Sequence, residues 1–280
     1  MIARKMNGAG NRFILIDARG QAGFLEIGPE TVRRWAQQHA FDQLLALEDS
    51  DTGDAFMRIW NADGDQVGAC GNGTRAAGWV LLQESGADTV AIATAGGLLF
   101  ARNAGEMQVS VDMGQPRLGW QNIPLARELD TVEMGVSFEA DGIAIERPGA
   151  VNMGNPHAVF FIRDVETFPV DRLGPEVELD PIFPEKVNAS FAQIYDRAHI
   201  RLRVWERGVG ITAACGTAAC ATLVAAHRRG LAERKASIMA DGGELIIEWR
   251  ESDNHVIMTG PVEDEGEIHL TITNSGGDTG

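Results

Sequence analysis

The chain has 280 residues, enough for one large domain or two ordinary ones, and its 44% hydrophobic and 23% charged content is that of a folded globular protein rather than a disordered one. A formal charge of −16, from 24 basic and 40 acidic residues, argues against nucleic-acid backbones and anionic membrane surfaces as partners. It leaves an anionic small molecule open, because a helix end and one arginine outweigh the global field locally. No apolar run reaches the ~18 residues of a membrane span, and Met1–Gly8 has basic residues with no apolar core behind them, unlike a secretory signal. With three cysteines, these features predict a cytoplasmic protein with reduced thiols.

In chain order, Gly10-Asn11 leads into a strand-like run, Phe13–Asp17. Gly28-Pro29 opens a helix expected over Glu30–His39, whose mixed face suits an outer position. Phe41-Asp42-Gln43-Leu44-Leu45 and Arg58-Ile59-Trp60-Asn61 follow, and then Ala69-Cys70-Gly71-Asn72-Gly73 introduces a helix expected from Thr74 to Leu82. Val90–Thr94 and Met107–Asp112 read as strands, and Asp112–Arg117, where a strand meets Gly and Pro, marks a domain switch. Beyond it, Gly154-Asn155 leads into the strand-like run Ala158–Ile162, Val187-Asn188-Ala189-Ser190-Phe191 follows, and Arg203-Val204-Trp205-Glu206 precedes Ala214-Cys215-Gly216. A helix is expected from Thr217 to His227, then strands at Leu245–Trp249 and Val256–Met258, a second crossing near Gly260-Pro261, a last strand at Ile268–Ile272 and a frayed tail from Gly276.

The two halves repeat. Arg58, Trp60 and Cys70 map onto Arg203, Trp205 and Cys215 at one offset of 145 (203−58, 205−60, 215−70). The same offset maps Gln43 onto Asn188, Asn61 onto Glu206 and Asn72 onto Thr217, and an offset of 144 maps Asn11 onto Asn155. Periodicity on the scale of a domain predicts a duplicated fold, with domains over residues 1–117 plus 262–280 and over 118–261. Both helices that follow the Cys-Gly steps are small-residue-rich and apolar nearly all round, so each is expected at the centre of its domain.

A cysteine at a helix N-terminus meets backbone N–H groups and the positive end of the helix dipole, which favour a thiolate and also hold a carboxylate. The glycine after each cysteine lets the backbone approach a ligand closely. Two such starts aimed at one pocket would grip one carboxylate and place a sulfur on each face of the adjoining carbon. One sulfur as thiolate and the other as thiol then remove a proton from one face and return one to the other, with neither metal nor pyridoxal phosphate. Cys220, inside an Ala-rich helix, reads as core. No C-x₂-C or H-x₃-H spacing near either thiol suggests zinc. Glu206-Arg207 offers a carboxylate for an ammonium group and a guanidinium for a carboxylate. Asn11, Asn61, Asn155 and Asn188 taken singly read as turn formers, and His157 alone is a weak signal.

Taken together, these motifs give the chain a family likeness. The segments Gly10-Asn11-x-Phe13, Phe41–Leu45, Arg58–Gly64 and Ala69–Arg75, then Gly154–Val159, Glu206–Gly210 and Ala214–Thr217, span most of the chain, and with them it resembles the diaminopimelate epimerases, pyridoxal-phosphate-independent amino-acid epimerases. The resemblance implies an α/β (α+β) fold of two pseudo-symmetric domains, each a curved, mostly antiparallel sheet wrapped around a central helix, with the active site in the interdomain cleft. It implies interconversion of LL- and meso-diaminopimelate in lysine and peptidoglycan-precursor synthesis, no cofactor, a small amino-acid substrate and a homodimer. It implies Cys70 and Cys215 as the acid/base pair, and backbone around Gly71-Asn72 and Gly216-Thr217 holding the reacting carboxylate. Asn61, Asn155, Asn188 and Arg207 would read the distal end, with Asn11, Gln43, His157 and Glu206 completing the pocket. The chain departs from the family pattern at Arg12, where Asp is usual, at Ile211, where Glu is usual, and at Val187, where Thr is usual.

Two other readings share these residues. A racemase of the proline type would use the same thiols on a smaller, single-ended substrate. Arg207 and the several asparagines favour a second zwitterionic end, since a buried arginine left without a partner is costly. A non-catalytic amino-acid-binding protein would need no sulfur on each face.

Overall fold

The structure is a computed structural model that describes residues 1–21 and 27–271. It divides into two compact units, Met1–Arg102 with Val262–Gly280, and Asn103–Pro261.

The first unit contains β1 (Ile2–Gly8), β2 (Asn11–Asp17), α1 (Pro29–His39), β3 (Gln43–Glu48), β4 (Ala55–Asn61), β5 (Gln66–Val67), α2 (Gly71–Ser85), β6 (Thr89–Thr94) and most of β7 (Gly97–Gly105). The ladder runs β1-β2-β3-β4-β6-β7, with β5 beside the end of β4. The β2–β3 and β4–β6 pairings are parallel and the others antiparallel. Four successive buried residues in β2 and in β3 mark strands covered on both faces, which is why they read as unbroken apolar runs. α2 covers β1, β2, β3 and β6, and is buried at every position from Gly71 to Gly78. α1 turns Val32 and Trp35 into a cluster with Ile14, Ile16, Leu44 and Trp60, an amphipathic outer helix as its pattern predicted.

The second unit contains β8 (Gln108–Asp112), β9 (Ser137–Ala140), β10 (Ile143–Glu146), β11 (Gly149–Asn152), β12 (Pro156–Phe161), α3 (Val170–Glu178), β13 (Asn188–Asp196), β14 (His199–Glu206), β15 (Gly210–Thr212), α4 (Gly216–Arg228), β16 (Lys235–Ala240), β17 (Gly243–Trp249) and β18 (Val256–Pro261). Its ladder, β11-β12-β13-β14-β16-β17-β18-β8, repeats the first in order and sense: β12–β13 and β14–β16 are parallel, and β15 lies beside the end of β14. α4 packs on β11, β12, β13, β14, β16, β17 and β18 and is buried from Ala218 to Ala226. α3 packs on β13 and β14 through Leu173 and Val177, next to a cluster of Phe138, Phe160, Phe183 and Phe191.

Three expectations need correction. The first unit boundary falls at Arg102/Asn103 rather than at 117/118, because β8 pairs with β18, from Ile257↔Asp112 to Pro261↔Gln108, and so joins the second unit; the return crossing lies between Pro261 and Val262. The last strand is β19 (Glu263–His269) rather than Ile268–Ile272. It pairs with β1 from Asn7↔Glu263 to Ile2↔His269, on the side of β1 away from β2, and Arg4–Asp264 and Lys5–Glu265 ion pairs join the two strands. Ile272 and the tail from Gly276 lie outside the described residues. Finally, both central helices begin earlier than expected, at Gly71 and Gly216, which makes each cysteine the N-cap itself. Among the described residues no helix is long and apolar enough to cross a membrane.

Candidate active site at two helix starts

The two cysteines occupy the same local structure. Each follows a short strand that ends the preceding turn and sits in extended backbone, φ −147° and ψ 114° at Cys70, φ −132° and ψ 109° at Cys215. Extended N-cap geometry directs the side chain back over the first turn of the helix, where N–H groups have no intrahelical acceptor. The glycine that follows each cysteine is buried. In the first turn of α2, Gly73 stands against Leu45, where an added Cβ would lie 3.1 Å from Cδ2.

The surroundings differ. Cys70 is partly exposed, and its Sγ accepts the Gly73 N–H at 3.3 Å. A donor at a helix N-terminus stabilises negative charge on that sulfur. Cys215 is 8% exposed, and its Sγ lies 3.4 Å from Thr217 Oγ1. Burial pushes the Cys215 thiol well above its ordinary pKa, and the adjacent Glu206 carboxylate pushes it further. Glu206 is itself raised by burial, against hydrogen bonds from Thr212 and Cys215 that favour the carboxylate. Thr212 Oγ1 donates to Glu206 Oε1.

Around Cys70, the first unit brings Asn11, Gln43 and Asn61 onto strand ends and Asn72 into the first turn of α2. Gln43 Nε2 donates to Asn61 Oδ1 at 3.0 Å, across the β3–β4 register that pairs the two residues. Gln43 Oε1 is buried without a partner among the described residues. Asn72 is 2% exposed; its Oδ1 accepts Arg75 Nη1 at 2.7 Å and its Nδ2 reaches Asn11 Oδ1 at 3.5 Å. The Asn72 side chain is therefore directed inward, which leaves its backbone N–H at the helix start. Asp42 collects the other end of this chain: Oδ2 accepts the Arg12 backbone N–H at 2.8 Å and lies 3.4 Å from Asn11 Nδ2, while Arg12 Nη2 lies 3.0 Å from Oδ1. The departure at Arg12 thus has a local account as the partner of Asp42.

Around Cys215, the second unit brings together Asn155, His157, Asn188, Glu206, Arg207 and Thr217. His157 is fully buried, with Nε2 2.9 Å from Asn155 Oδ1 and Nδ1 without a partner among the described residues. Burial, assisted by the nearby Arg207, lowers its pKa to about 3, so the ring is neutral at physiological pH. Asn188 is 3% exposed; its Nδ2 donates to Pro156 O at 2.9 Å and its Oδ1 accepts the Arg207 backbone N–H at 2.9 Å. The side chain expected to read a ligand therefore also ties β12 to the Arg207 turn. Arg207 Nη1 donates to Glu185 O at 2.7 Å. Of the remaining departures, Val187 is buried in the apolar core and Ile211 is exposed.

Residues that the sequence reading passed over support this arrangement: Asp42, Arg75, Thr212 and Glu178. Asp42 stood beside Gln43 and Arg75 one turn after Asn72, so their positions were visible and their roles were not. Glu178 lies on α3, a helix that Pro169 and Pro175 hid from pattern reading.

Chemically, each helix start offers a sulfur beside backbone donors suited to a carboxylate; both sulfurs meet a backbone N–H of the first turn, and Cys215 alone is also buried beside a carboxylate. The comparisons with known proteins agree with that chemistry. The family model described as diaminopimelate epimerase matches residues 3–119 and again residues 149–265, an offset of 146 (149−3). The chain is 51% identical over 269 residues to a diaminopimelate epimerase of Phenylobacterium zucineum, covering 94% of this chain and 96% of that one. It is 50% identical over 275 residues to a diaminopimelate epimerase of Methylocella silvestris, covering 96% and 94%. Among solved structures, a hydroxyproline epimerase of Agrobacterium vitis superposes with a TM-score of 0.63 at 17% identity, covering 96% of this chain and 90% of that one, a likeness of fold.

Proposed function

The chain belongs to the diaminopimelate epimerase family, and on that premise we propose that Cys70 and Cys215 are the two proton-transfer groups of its reaction. That reaction interconverts LL- and meso-2,6-diaminopimelate by inverting one α-carbon without a cofactor, a step of lysine and peptidoglycan-precursor synthesis. The observation that carries the assignment is the matched pair of N-capping cysteines, each followed by glycine, at the starts of corresponding buried helices.

Inversion by two groups needs one base and one acid on opposite faces of the α-carbon. A thiolate takes the α-proton, and the electron pair of the broken C–H bond delocalises into the adjoining carboxylate. The other thiol then gives its proton to the opposite face and is left as thiolate, so the pair ends with its charges exchanged. Backbone N–H groups at Gly71 and Asn72 and at Gly216 and Thr217 would bind the reacting carboxylate and stabilise the charge that develops on it. Such a site must hold one thiolate and one thiol before substrate arrives. The Gly73 donor favours the thiolate at Cys70, and burial beside Glu206 favours the thiol at Cys215.

Asn11, Gln43 and Asn61, with Asn155, Asn188, Glu206 and Arg207, would bind the remaining polar groups of the substrate, Arg207 taking the distal carboxylate. The neutral His157 would add no second positive charge beside Arg207. The assembly that goes with the family reading is a homodimer of the 30.2 kDa chain, to be read by sedimentation.

The activity test is incubation of the purified protein with LL-diaminopimelate and chiral chromatography of the products, with proline and hydroxyproline in parallel. Meso isomer from the first and no racemisation of the others is expected. Turnover of proline or hydroxyproline without turnover of diaminopimelate would contradict the reading.

A further inference from the structure

The turn that carries Glu206 and Arg207 is held from beneath by a buried carboxylate with no part in the proton-transfer chemistry. Val209 N–H closes the turn onto Glu206 O at 3.0 Å, and Gly208 takes φ +75°, which suits glycine. The two amides inside the turn both point at buried side chains. Arg207 N–H donates to Asn188 Oδ1 at 2.9 Å, and Gly208 N–H donates to Glu178 Oε1 at 3.0 Å. The other oxygen, Glu178 Oε2, accepts Trp205 Nε1–H at 2.7 Å. Glu178 thus grips the residues on either side of Glu206-Arg207, one with each oxygen, and Lys186 Nζ lies 3.7 Å from Oε1.

α3 is shaped for this contact. Gly174, four residues before Glu178, faces the Trp205 ring, where an added Cβ would come within 2.4 Å of Cγ. The indole therefore lies flat against the helix backbone, with its N–H within reach of a residue one turn further on. Glu178 is 6% exposed. A carboxylate is costly to bury and is tolerated where charge-assisted hydrogen bonds meet both oxygens. Among the described residues of the first unit no carboxylate grips the corresponding turn in this way, and Trp60, the counterpart of Trp205, has a buried Nε1 with no partner among them.

We propose that Glu178 is a positioning residue for the reaction, one that fixes the backbone from Trp205 to Gly208 so that Glu206 meets Cys215 and Arg207 meets the distal end of the substrate. The proposal rests on the roles given above to Glu206 and Arg207. It has a chemical signature, because the clamp needs an acceptor on each oxygen. In Glu178→Gln an amide of the same shape has one acceptor, so its NH2 must face either the indole N–H or the Gly208 N–H.

The test compares wild type, Glu178→Gln, and Glu178→Gln combined with Trp205→Phe, on the full-length protein. In Glu178→Gln, KM for diaminopimelate is expected to rise about tenfold or more, with a smaller fall in kcat. The alkaline limb of the pH–rate profile is expected to move as Glu206 shifts from Cys215, and the Gly208 amide to exchange faster with deuterated water. Trp205→Phe removes one of the two donors, so the double variant, in which the remaining amide oxygen takes the Gly208 N–H, is expected to regain most of the lost KM. A Glu178→Gln enzyme with a lower Tm but unchanged KM and unchanged alkaline limb would overturn the proposal and leave the epimerase reading standing. If wild type itself turned over no diaminopimelate, that reading would fall instead. The Gly208 exchange rate would then decide the clamp alone, and a rate unchanged in Glu178→Gln would overturn it.

Discussion

Two helix starts with one backbone geometry hold their sulfurs in different surroundings. At α2, Cys70 is partly exposed and accepts an amide N–H; at α4, Cys215 is buried beside a carboxylate and a hydroxyl. The residues responsible are few. Asn61 in one half stands where Glu206 stands in the other, and Asn72 where Thr217 stands. The duplication accounts for what must be alike, two sulfurs at two N-termini with glycines that admit a ligand. Substitution accounts for how they differ: two coupled thiols already share one proton between them, and unequal surroundings bias which sulfur holds it before substrate arrives.

The strongest way to break the comparison is to remove either sulfur. Cys70→Ala and Cys215→Ala are each expected to lower kcat for epimerisation by on the order of 10³-fold, the scale of one positioned acid or base. Full activity in either variant would show that one group suffices. A subtler change makes the halves alike: Asn61→Glu puts a carboxylate at the position corresponding to Glu206. It is expected to cost on the order of 10²-fold, whereas Asn61→Gln, without the charge, costs less. Equal losses in the two would point to the Gln43 contact rather than to charge.

Glu206→Gln acts in the reverse sense. It removes one of the causes that raise Cys215, so the thiol deprotonates at lower pH, and the alkaline limb of kcat should move down while activity falls roughly tenfold. An unmoved alkaline limb would separate Glu206 from the acid/base pair.

His157 and its counterpart Phe13 (157−144) sharpen the comparison through stability. The folded-state pKa of His157 is about 3, against an ordinary 6.5. A depressed pKa contributes stability that is fully present above the unfolded value and lost as pH falls toward the folded one. Wild type should therefore lose up to ~1.4 kcal/mol per pH unit relative to His157→Phe between pH 6.5 and about 3. Denaturation midpoints of the two proteins at pH 7, 5.5 and 4 would show it, and parallel midpoints would contradict the buried neutral ring. The smallest effect is expected at Cys220→Ala, deep in α4, which should cost about 1–2 kcal/mol of stability and leave the rate unchanged.

The parts of the fold visible in the sequence were those encoded locally. Glycine after cysteine marked both helix starts, Gly28-Pro29 marked α1, and apolar runs marked β2 and β12. What stayed hidden depends on partners distant in sequence. β8 looks like a strand of the first half until its pairing with β18 is known, and β19 is too polar to read as a strand without β1 beside it. The candidate site divides in the same way. Its cysteines and asparagines were legible from the repeat. The inward commitment of Asn72 to Arg75, the double duty of Asn188, and the carboxylate of Glu178 beneath the Arg207 turn each join elements that the sequence keeps apart.

The most direct measurement follows both substrate pools in deuterated water at low conversion. LL-diaminopimelate is incubated with wild-type protein, and deuterium at the α-carbons is read separately in recovered LL substrate and in newly formed meso product. Two groups on opposite faces predict a meso product carrying solvent deuterium at the inverted carbon while the remaining LL pool keeps its protons. Equal deuteration of both pools from the earliest times, or a product that retains the substrate's own proton at the inverted carbon, would contradict the division of labour between Cys70 and Cys215.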